Sequence, residues 1–392
     1  YMENTPVSMR KHVVITGKTN AGKSTLLNSL LGQETSIVSE IKGTTTDPVL
    51  KAMELIPYGP IALIDTAGIG DDTALGLKRT EKTKRMLDRA DLVISVMDAS
   101  EADVMPADTK LPYILVFTKC EKLNTASADK LKAEYPDAVF MSDYCKTGLE
   151  ELKGKMIAEL KKQDRDDDTF IGDLLPEGST VVLVTPIDSA APKGRLILPQ
   201  VQILRDCLDN NMTAYVTKEN TLKDALDNLK RVDLVITDSQ AFKLVNEIVP
   251  PSVPLTSFSM ILARKKGNFK QFLDGTEHIL KLKSGDRVLV LEGCTHNTTH
   301  EDIGKVKLPK LIEKRTGAKC VYEHRAGYDF PDNLDGYSLA LSCGMCMINK
   351  QEINSRLEKL NKAGVPVVNY GIALAYLNGI LDRAKAILKS DR

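Results

Sequence analysis

The sequence predicts an α/β protein built as three consecutive α/β domains, and three observations carry that reading. Short apolar runs rich in Val, Ile and Leu alternate with helical segments along the chain, the pattern of mostly parallel sheets covered on both faces. A length of 392 residues exceeds what one hydrophobic core supports. One charged run, QDRDDDTF, interrupts the alternation and reads as a solvated linker.

The elements follow in order. Residues 1–166 hold the strand KHVVITG, the helix GKSTLLNSLLG, and the buried strands IALIDTAG, DLVISVMDA and YILVFTK. They close on TGLEELKGKMIAELKKQ, apolar at helical spacing. Residues 167–272 hold the strands STVVLVTP, MTAYVTK, VDLVITDS and VPLTSFS, with LPQVQILRDCLDN, TLKDALDNLK and AFKLVNEIV as the helices between them. Residues 273–392 run through the strands KLKSGDRVLVLEG, AKCVYEH, YSLALS and VPVVNYG, again with helices between. The second and third domains read as Rossmann-like parallel sheets.

Composition narrows the function. Lys plus Arg equals Asp plus Glu, 53 of each, and this neutral balance argues against a bulk polyanion partner such as nucleic acid. No apolar run reaches the roughly 18 residues of a membrane span. The opening YMENTPVSMRKH lacks the apolar core of a secretory signal, and Tyr1 ahead of Met2 reads as a cloning remnant. Seven cysteines in such a chain fit a reducing, cytoplasmic setting better than a disulfide framework.

Gly17-Lys-Thr-Asn-Ala-Gly-Lys-Ser24 fits the phosphate-loop pattern, with a strand before it and a helix after it. Glycines let the backbone curl so that successive N–H groups point at a phosphate, and the helix N-terminus adds partial positive charge. Lys23 is placed to reach the β- and γ-phosphates and the Ser24 hydroxyl to bind magnesium, with Gly17, Asn20, Ala21, Gly22 and Thr25 completing the cradle. A chance glycine pattern is the bland alternative, and Asp65-Thr-Ala-Gly68 directly after the strand IALI argues against it. An acid at a strand end holds magnesium through water, and the Gly68 amide sits where it can sense the γ-phosphate. Thr45, in Gly43-Thr-Thr-Thr-Asp-Pro48, is the second hydroxyl for magnesium. Lys23, Thr45 and Gly68 are the catalytic candidates of a P-loop GTPase fold.

These residues resemble GTPases of the TrmE–Era class, where a GTT-containing switch follows the phosphate loop. Asn20 matches the asparagine that helps hold potassium beside the phosphates in potassium-activated members. Ile69 stands where many GTPases place a water-orienting glutamine, so the resemblance implies hydrolysis assisted by potassium. The base-reading loop departs from the family: Thr118-Lys-Cys-Glu121 replaces Asn-Lys-x-Asp. Glu121 keeps the carboxylate that accepts from guanine, Lys119 covers the ring, and Thr118 shortens the residue that steadies the loop. Cys145 and Lys146, in a degenerate Ser-Ala-Lys loop, supply a third contact. A carboxylate would repel the N1 acceptor of adenine, which favours GTP over ATP.

Two later loops bring thiols. Cys294-Thr-His296 follows the strand DRVLVLEG, and Ser342-Cys343-Gly-Met-Cys346 follows YSLALS. Strand ends on one edge of a parallel sheet gather ligand-binding loops, so three thiols and an imidazole are predicted to meet. A structural zinc would need His296 as fourth ligand. A redox pair would use Cys343 and Cys346 and leave Cys294 idle. An iron–sulfur cluster would use three thiolates and leave one iron with an exchangeable ligand. The residue types leave all three open, and the 46 residues between His296 and Cys343 lean towards the cluster.

The whole arrangement resembles the HydF family of FeFe-hydrogenase maturation GTPases. Besides the GTPase motifs and the thiols, the resemblance rests on Pro186-Ile-Asp188, the stretch from Ala191 to Gln202, Thr237-Asp-Ser-Gln240 and Pro254-Leu-Thr-Ser-Phe258. It implies a scaffold that hydrolyses GTP, dimerises or forms a higher homo-oligomer through residues 167–272, and binds a 4Fe–4S cluster through Cys294, Cys343 and Cys346 in residues 273–392. It further implies that the scaffold receives a di-iron precursor made by two radical-SAM maturases and delivers it to the apo FeFe-hydrogenase. Ser342 stands where many members have histidine, which leaves the fourth iron position to His296, His300, Glu301, water or the precursor. The alternative is a TrmE/Era-like GTPase of RNA modification or ribosome assembly with a structural zinc. Elsewhere bland readings suffice: Cys207 and Cys320 fill cores, Cys120 and Cys145 fill space beside the base pocket, and the pairs Lys161-Lys162 and Lys265-Lys266 are solvated charges.

Overall fold

Successive residues of the first strand face opposite sides of a sheet, as a two-residue period requires. Val13 and Ile15 enter one apolar cluster and Val14 another. Both faces are covered, which accounts for an unbroken apolar run rather than an alternating one. The computed structural model describes residues 6–32, 39–41, 50–66, 83–101, 111–142, 148–164, 169–186, 196–293 and 303–388. The chain divides into two compact units, residues 1–166 and 167–392.

In the first unit seven strands run in the order β2-β3-β4-β1-β5-β6-β7. They are β1 Lys11–Thr16, β2 Ser39–Ile41, β3 Leu50–Leu55, β4 Gly59–Asp65, β5 Leu92–Asp98, β6 Tyr113–Thr118 and β7 Val139–Phe140. β4, β1, β5, β6 and β7 are parallel, while β2 and β3 form an antiparallel edge on β4. Sequence reading does not find that edge. LKAMEL is composed of good helix formers, and its strand state comes from pairing with β4. Helices Lys23–Leu31 and Leu149–Gln163 cover one face with Leu26, Leu27 and Leu30, and with Leu149, Leu152, Met156 and Leu160, at three- and four-residue spacing. The loops leaving β1, β4, β5 and β6 therefore share one edge, where open α/β sheets bind ligands.

The second unit holds two four-stranded, all-parallel sheets. One has the order β11-β10-β8-β9, with β8 Thr180–Val184, β9 Thr213–Thr217, β10 Leu234–Thr237 and β11 Leu255–Ser257. The other has the order β13-β12-β14-β15, with β12 Arg287–Glu292, β13 Val321–Ala326, β14 Tyr337–Ser342 and β15 Val367–Asn369. Buried residues of both sheets belong to one apolar cluster. Arg383 fastens the last helix, Leu381–Ala386, to the first of these sheets' loops by donating to the carbonyls of Asn246, Val249, Pro250 and Val253.

A helix the sequence reading missed, Phe258–Lys266, follows β11 without a loop. Ser257 caps it, its hydroxyl accepting from the Met260 N–H at 3.3 Å. Phe258, Met260, Ile261 and Ala263 all enter the shared core. A helix covered on nearly every side carries no amphipathic period to read. No described helix is long and apolar enough to cross a membrane.

Candidate functional site

The phosphate loop begins where β1 ends. Gly17 adopts φ +151°, and a Cβ there would sit 2.2 Å from the Val96 carbonyl oxygen, so only glycine fits. Gly22 is left-handed at φ +89° and starts the helix Lys23–Leu31. Asn20 is also left-handed, at φ +63°, a conformation asparagine tolerates better than most residues. Lys23 is buried, and its ammonium donates back to the carbonyls of Gly17 at 2.9 Å and Lys18 at 2.7 Å. Those two bonds hold the loop in its curled form.

Asp65, at the end of β4, faces Lys23 and accepts from the Ser24 hydroxyl. Burial pushes its carboxyl up, and Lys23, Ser24 and Lys51 pull it back. Burial likewise pushes the Lys23 ammonium down, against the pull of Asp65. Asp65 Oδ1 is buried without a hydrogen-bond partner. An orphaned carboxylate oxygen beside a serine hydroxyl suits a hard cation such as magnesium. Thr66 ties this corner to β1, its N–H and hydroxyl both donating to the Ile15 carbonyl, at 3.1 and 2.8 Å.

The loop after β6, expected to read the base, is stapled to the phosphate loop by two side chains. Thr118 donates to the Ala21 carbonyl at 2.7 Å, and Lys119, left-handed at φ +57°, donates to the Asn20 carbonyl at 2.6 Å. The shorter Thr118 thus still reaches across. Thr25 and Glu121 lie exposed at the edge of this site. Sequence reasoning missed Asp98, at the end of β5, which accepts from Lys119 at 2.7 Å and from the Ser100 N–H and hydroxyl at 3.0 and 2.6 Å. The available signal was an acid closing a buried strand in VMDAS.

Asp98 gives a pH test of this staple. Burial alone would raise its carboxyl, but the bonds from Lys119 and Ser100 hold it down at about 2. The stability it contributes is therefore present above the unfolded value of about 4 and is lost as pH falls towards 2. Asp98→Asn is expected to lower the thermal midpoint at pH 6, and its gap from the unmutated protein to close between about pH 4 and 2. A gap constant across that window would show that the carboxylate charge does not hold the loop.

At the other candidate site, β14 ends at Ser342 and the loop turns at once. Cys343 Sγ accepts two backbone N–H groups, from Gly293 at 3.0 Å and from Met345 at 3.3 Å. Met345 is left-handed at φ +49°, which aims its N–H inward. Both amides thereby fix where the sulfur points. Asn369 buttresses the loop, donating to the Cys343 carbonyl at 3.3 Å while its own Oδ1 accepts from Ser259 at 3.0 Å and Gly371 at 2.9 Å. Gly293, which directly follows β12 and precedes Cys294, thus touches Cys343, so the ends of β12 and β14 meet at this edge.

Lys266 corrects the reading of Lys265-Lys266 as solvated charges. It is 8% exposed, and its ammonium donates to the carbonyls of Cys346 at 3.1 Å and Ile348 at 3.2 Å. Burial pushes it down to about 8, while Cys346 and Cys343 pull it up. Burial pushes the Cys346 thiol up, opposed by Lys266. Cys207 is fully buried in the core as expected, whereas Cys320 is only partly covered, at the margin of the same core.

Thr45, Gly68, Ile69, Cys145, Lys146, Cys294, His296, His300 and Glu301 lie outside the described residues. Among the described residues no group of three or more His, Cys, Asp or Glu is placed to hold a metal ion.

Comparison with known proteins matches three stretches of the chain. Residues 12–119 match the family described as 50S ribosome-binding GTPase. Residues 170–267 match a hydrogen maturase F dimerization domain, and residues 270–387 a hydrogen maturase F tetramerization domain. The tRNA modification GTPase MnmE of Flavobacterium psychrophilum is 33% identical over 162 residues, covering 37% of this chain and 34% of its own length. GTPase Der of Kosmotoga olearia is 32% identical over 175 residues, or 39% of each chain. The chain thus spans about a third of the length of the curated relatives it matches. Among solved structures, the G domain of the T. maritima FeoB iron transporter shares 26% identity, covering 38% of this chain and 98% of that one, at a TM-score of 0.28.

Proposed function

The chain belongs to the hydrogen maturase F (HydF) family, and from that premise we propose that it is a GTP-hydrolysing scaffold of FeFe-hydrogenase maturation. In this reading the first unit binds Mg·GTP and the second holds a 4Fe–4S cluster on Cys294, Cys343 and Cys346. The chain works as a homo-oligomer in the cytoplasm, takes a di-iron precursor from two radical-SAM maturases and passes it to the apo-hydrogenase. Family membership rests on the two adjoining matches over residues 170–267 and 270–387.

The nucleotide chemistry follows from residues already placed. Lys23 would leave the Gly17 and Lys18 carbonyls for the β- and γ-phosphates, and Ser24, Thr45 and Asp65 would hold magnesium between them. Asn20 is the residue for potassium, which would neutralise charge where Ile69 offers no hydrogen bond. Loss of the γ-phosphate releases Thr45 and Gly68 and changes the surface offered to a partner. A differential affinity of about 1.4 kcal/mol shifts that partner's binding tenfold, sufficient for a gate.

One observation carries the cluster assignment: two amides converge on Cys343 Sγ, and one belongs to the residue directly before Cys294. A bound cluster supplies an iron site with a replaceable ligand, which suits the delivery of cargo. The chain's own part is to orient Cys343 through the Gly293 and Met345 amides, and to support the Cys343 and Cys346 carbonyls through Asn369 and Lys266. The test is anaerobic reconstitution with iron and sulfide, followed by EPR of the reduced protein beside Cys294→Ala. A reduced 4Fe–4S signal that disappears in the variant is the expected result. Tightly held zinc with no such signal would overturn the scaffold reading and leave the GTPase standing.

A further inference from the structure

Three consecutive basic residues end the helix Phe258–Lys266, and each meets a different partner. Arg264 forms an ion pair with Asp173. Lys265 donates to the Thr169 carbonyl at 3.0 Å and lies over the Phe170 ring, 5.6 Å from its centre. Lys266 turns to the thiol loop and its two carbonyls. Residues 169–173 are where the chain enters the second unit after the linker. Asp206 clamps that entry as well, accepting from the N–H groups of Phe170 at 3.0 Å, Ile171 at 2.8 Å and Gly172 at 3.2 Å. One turn of helix, set in the core by Met260, Ile261 and Ala263, therefore touches both the chain entry and the loop that carries Cys343 and Cys346.

A buried ammonium is costly, and methionine would fill a similar volume without that cost. What methionine lacks is a pair of donors for the Cys346 and Ile348 carbonyls and a fixed positive charge beneath two sulfurs. We propose that Lys266 is the positioning residue of the thiol loop, and that the last turn of its helix ties that loop to the chain entry at residues 169–173. What the loop holds rests on the cluster reading above; the tie itself does not. The device gives residues 169–173 a mechanical route to the thiol loop: a displacement there acts on Arg264 and Lys265, and the same turn carries it to Lys266.

The experiment is amide hydrogen exchange on the metal-free protein of 392 residues, with the amides of β8 as internal reference in every variant. Lys266→Met is expected to speed exchange at residues 343–348 by about tenfold or more, and Lys266→Arg to restore most of the protection. Arg264→Gln, which removes the ion pair with Asp173, is expected to speed exchange at residues 343–348 as well as at 169–173. Unchanged exchange at 343–348 in Lys266→Met would overturn the positioning role, and an Arg264→Gln effect confined to 169–173 would overturn the tie. After anaerobic reconstitution, the reduction midpoint is expected to become more negative in Lys266→Met and to return in Lys266→Arg. Equal midpoints in all three proteins would overturn the role of the charge. An unmutated protein that takes up no iron would remove the cluster reading alone, because the exchange arms decide the tie without it.

Discussion

Lys23→Ala is expected to slow GTP hydrolysis by about 10²–10³-fold while iron uptake by the second unit is unchanged. The ammonium is buried and bonds two loop carbonyls from within, whereas Lys18 of the same loop is paired with Glu101 at 3.7 Å. Beside the loop N–H groups it supplies the full charge placed to follow the one that develops between the β- and γ-phosphates. The same change carries an opposite expectation for the nucleotide-free protein. Burial depresses the Lys23 pKa more than Asp65 restores it, so wherever the lysine is protonated both folded and unfolded the native state bears the cost of the charge. Removing it should leave the thermal midpoint level or higher. The unmutated protein at 100 times the dissociation constant of GTP should gain about 2.7 kcal/mol, and the variant little of that. Phosphate release in potassium buffer and thermal melts with and without Mg·GTP make both readings. Hydrolysis within tenfold of the unmutated rate would remove Lys23 from the mechanism. Loss of iron alongside hydrolysis would count against separable units.

What could be read from the sequence follows how local each requirement is. The phosphate loop needs Gly17 and Gly22 for backbone reasons confined to a few residues, and those residues announce it. The parallel strands announce themselves too, since burial on both faces leaves unbroken runs such as VVLV. The staple between Thr118 and Ala21 was visible only as a departure from pattern, because its acceptor is a backbone carbonyl that no residue letter records. Lys266 was misread for a similar reason. Its burial depends on a helix packed on nearly all sides and on two carbonyls from 80 and 82 residues further along the chain. LKAMEL was hidden because pairing with β4 overrides its helical composition. That the ends of β12 and β14 lie side by side was legible from the strands alone, whereas the amides that orient Cys343 required the turn at Met345.

Those amides give the second large expectation and a way to divide it. Cys343→Ala should abolish cluster assembly and leave GTP hydrolysis within about twofold, the reverse of Lys23→Ala; the twofold allowance is under 0.5 kcal/mol on the barrier. Alanine, however, removes two things at once, a ligand for iron and an acceptor for the Gly293 and Met345 N–H groups. Each amide left buried without a partner costs about 1–3 kcal/mol, so alanine alone cannot say whether iron is lost through chemistry or through a loosened loop. Cys343→Ser separates them. A serine hydroxyl accepts from both amides but is a poor ligand for iron, so the serine variant should keep the loop protected in hydrogen exchange and still fail to assemble the cluster. Protection kept and iron lost identifies Cys343 as a ligand. Iron retained in Cys343→Ser would transfer the ligand role to other residues and leave Cys343 as an acceptor that shapes the turn.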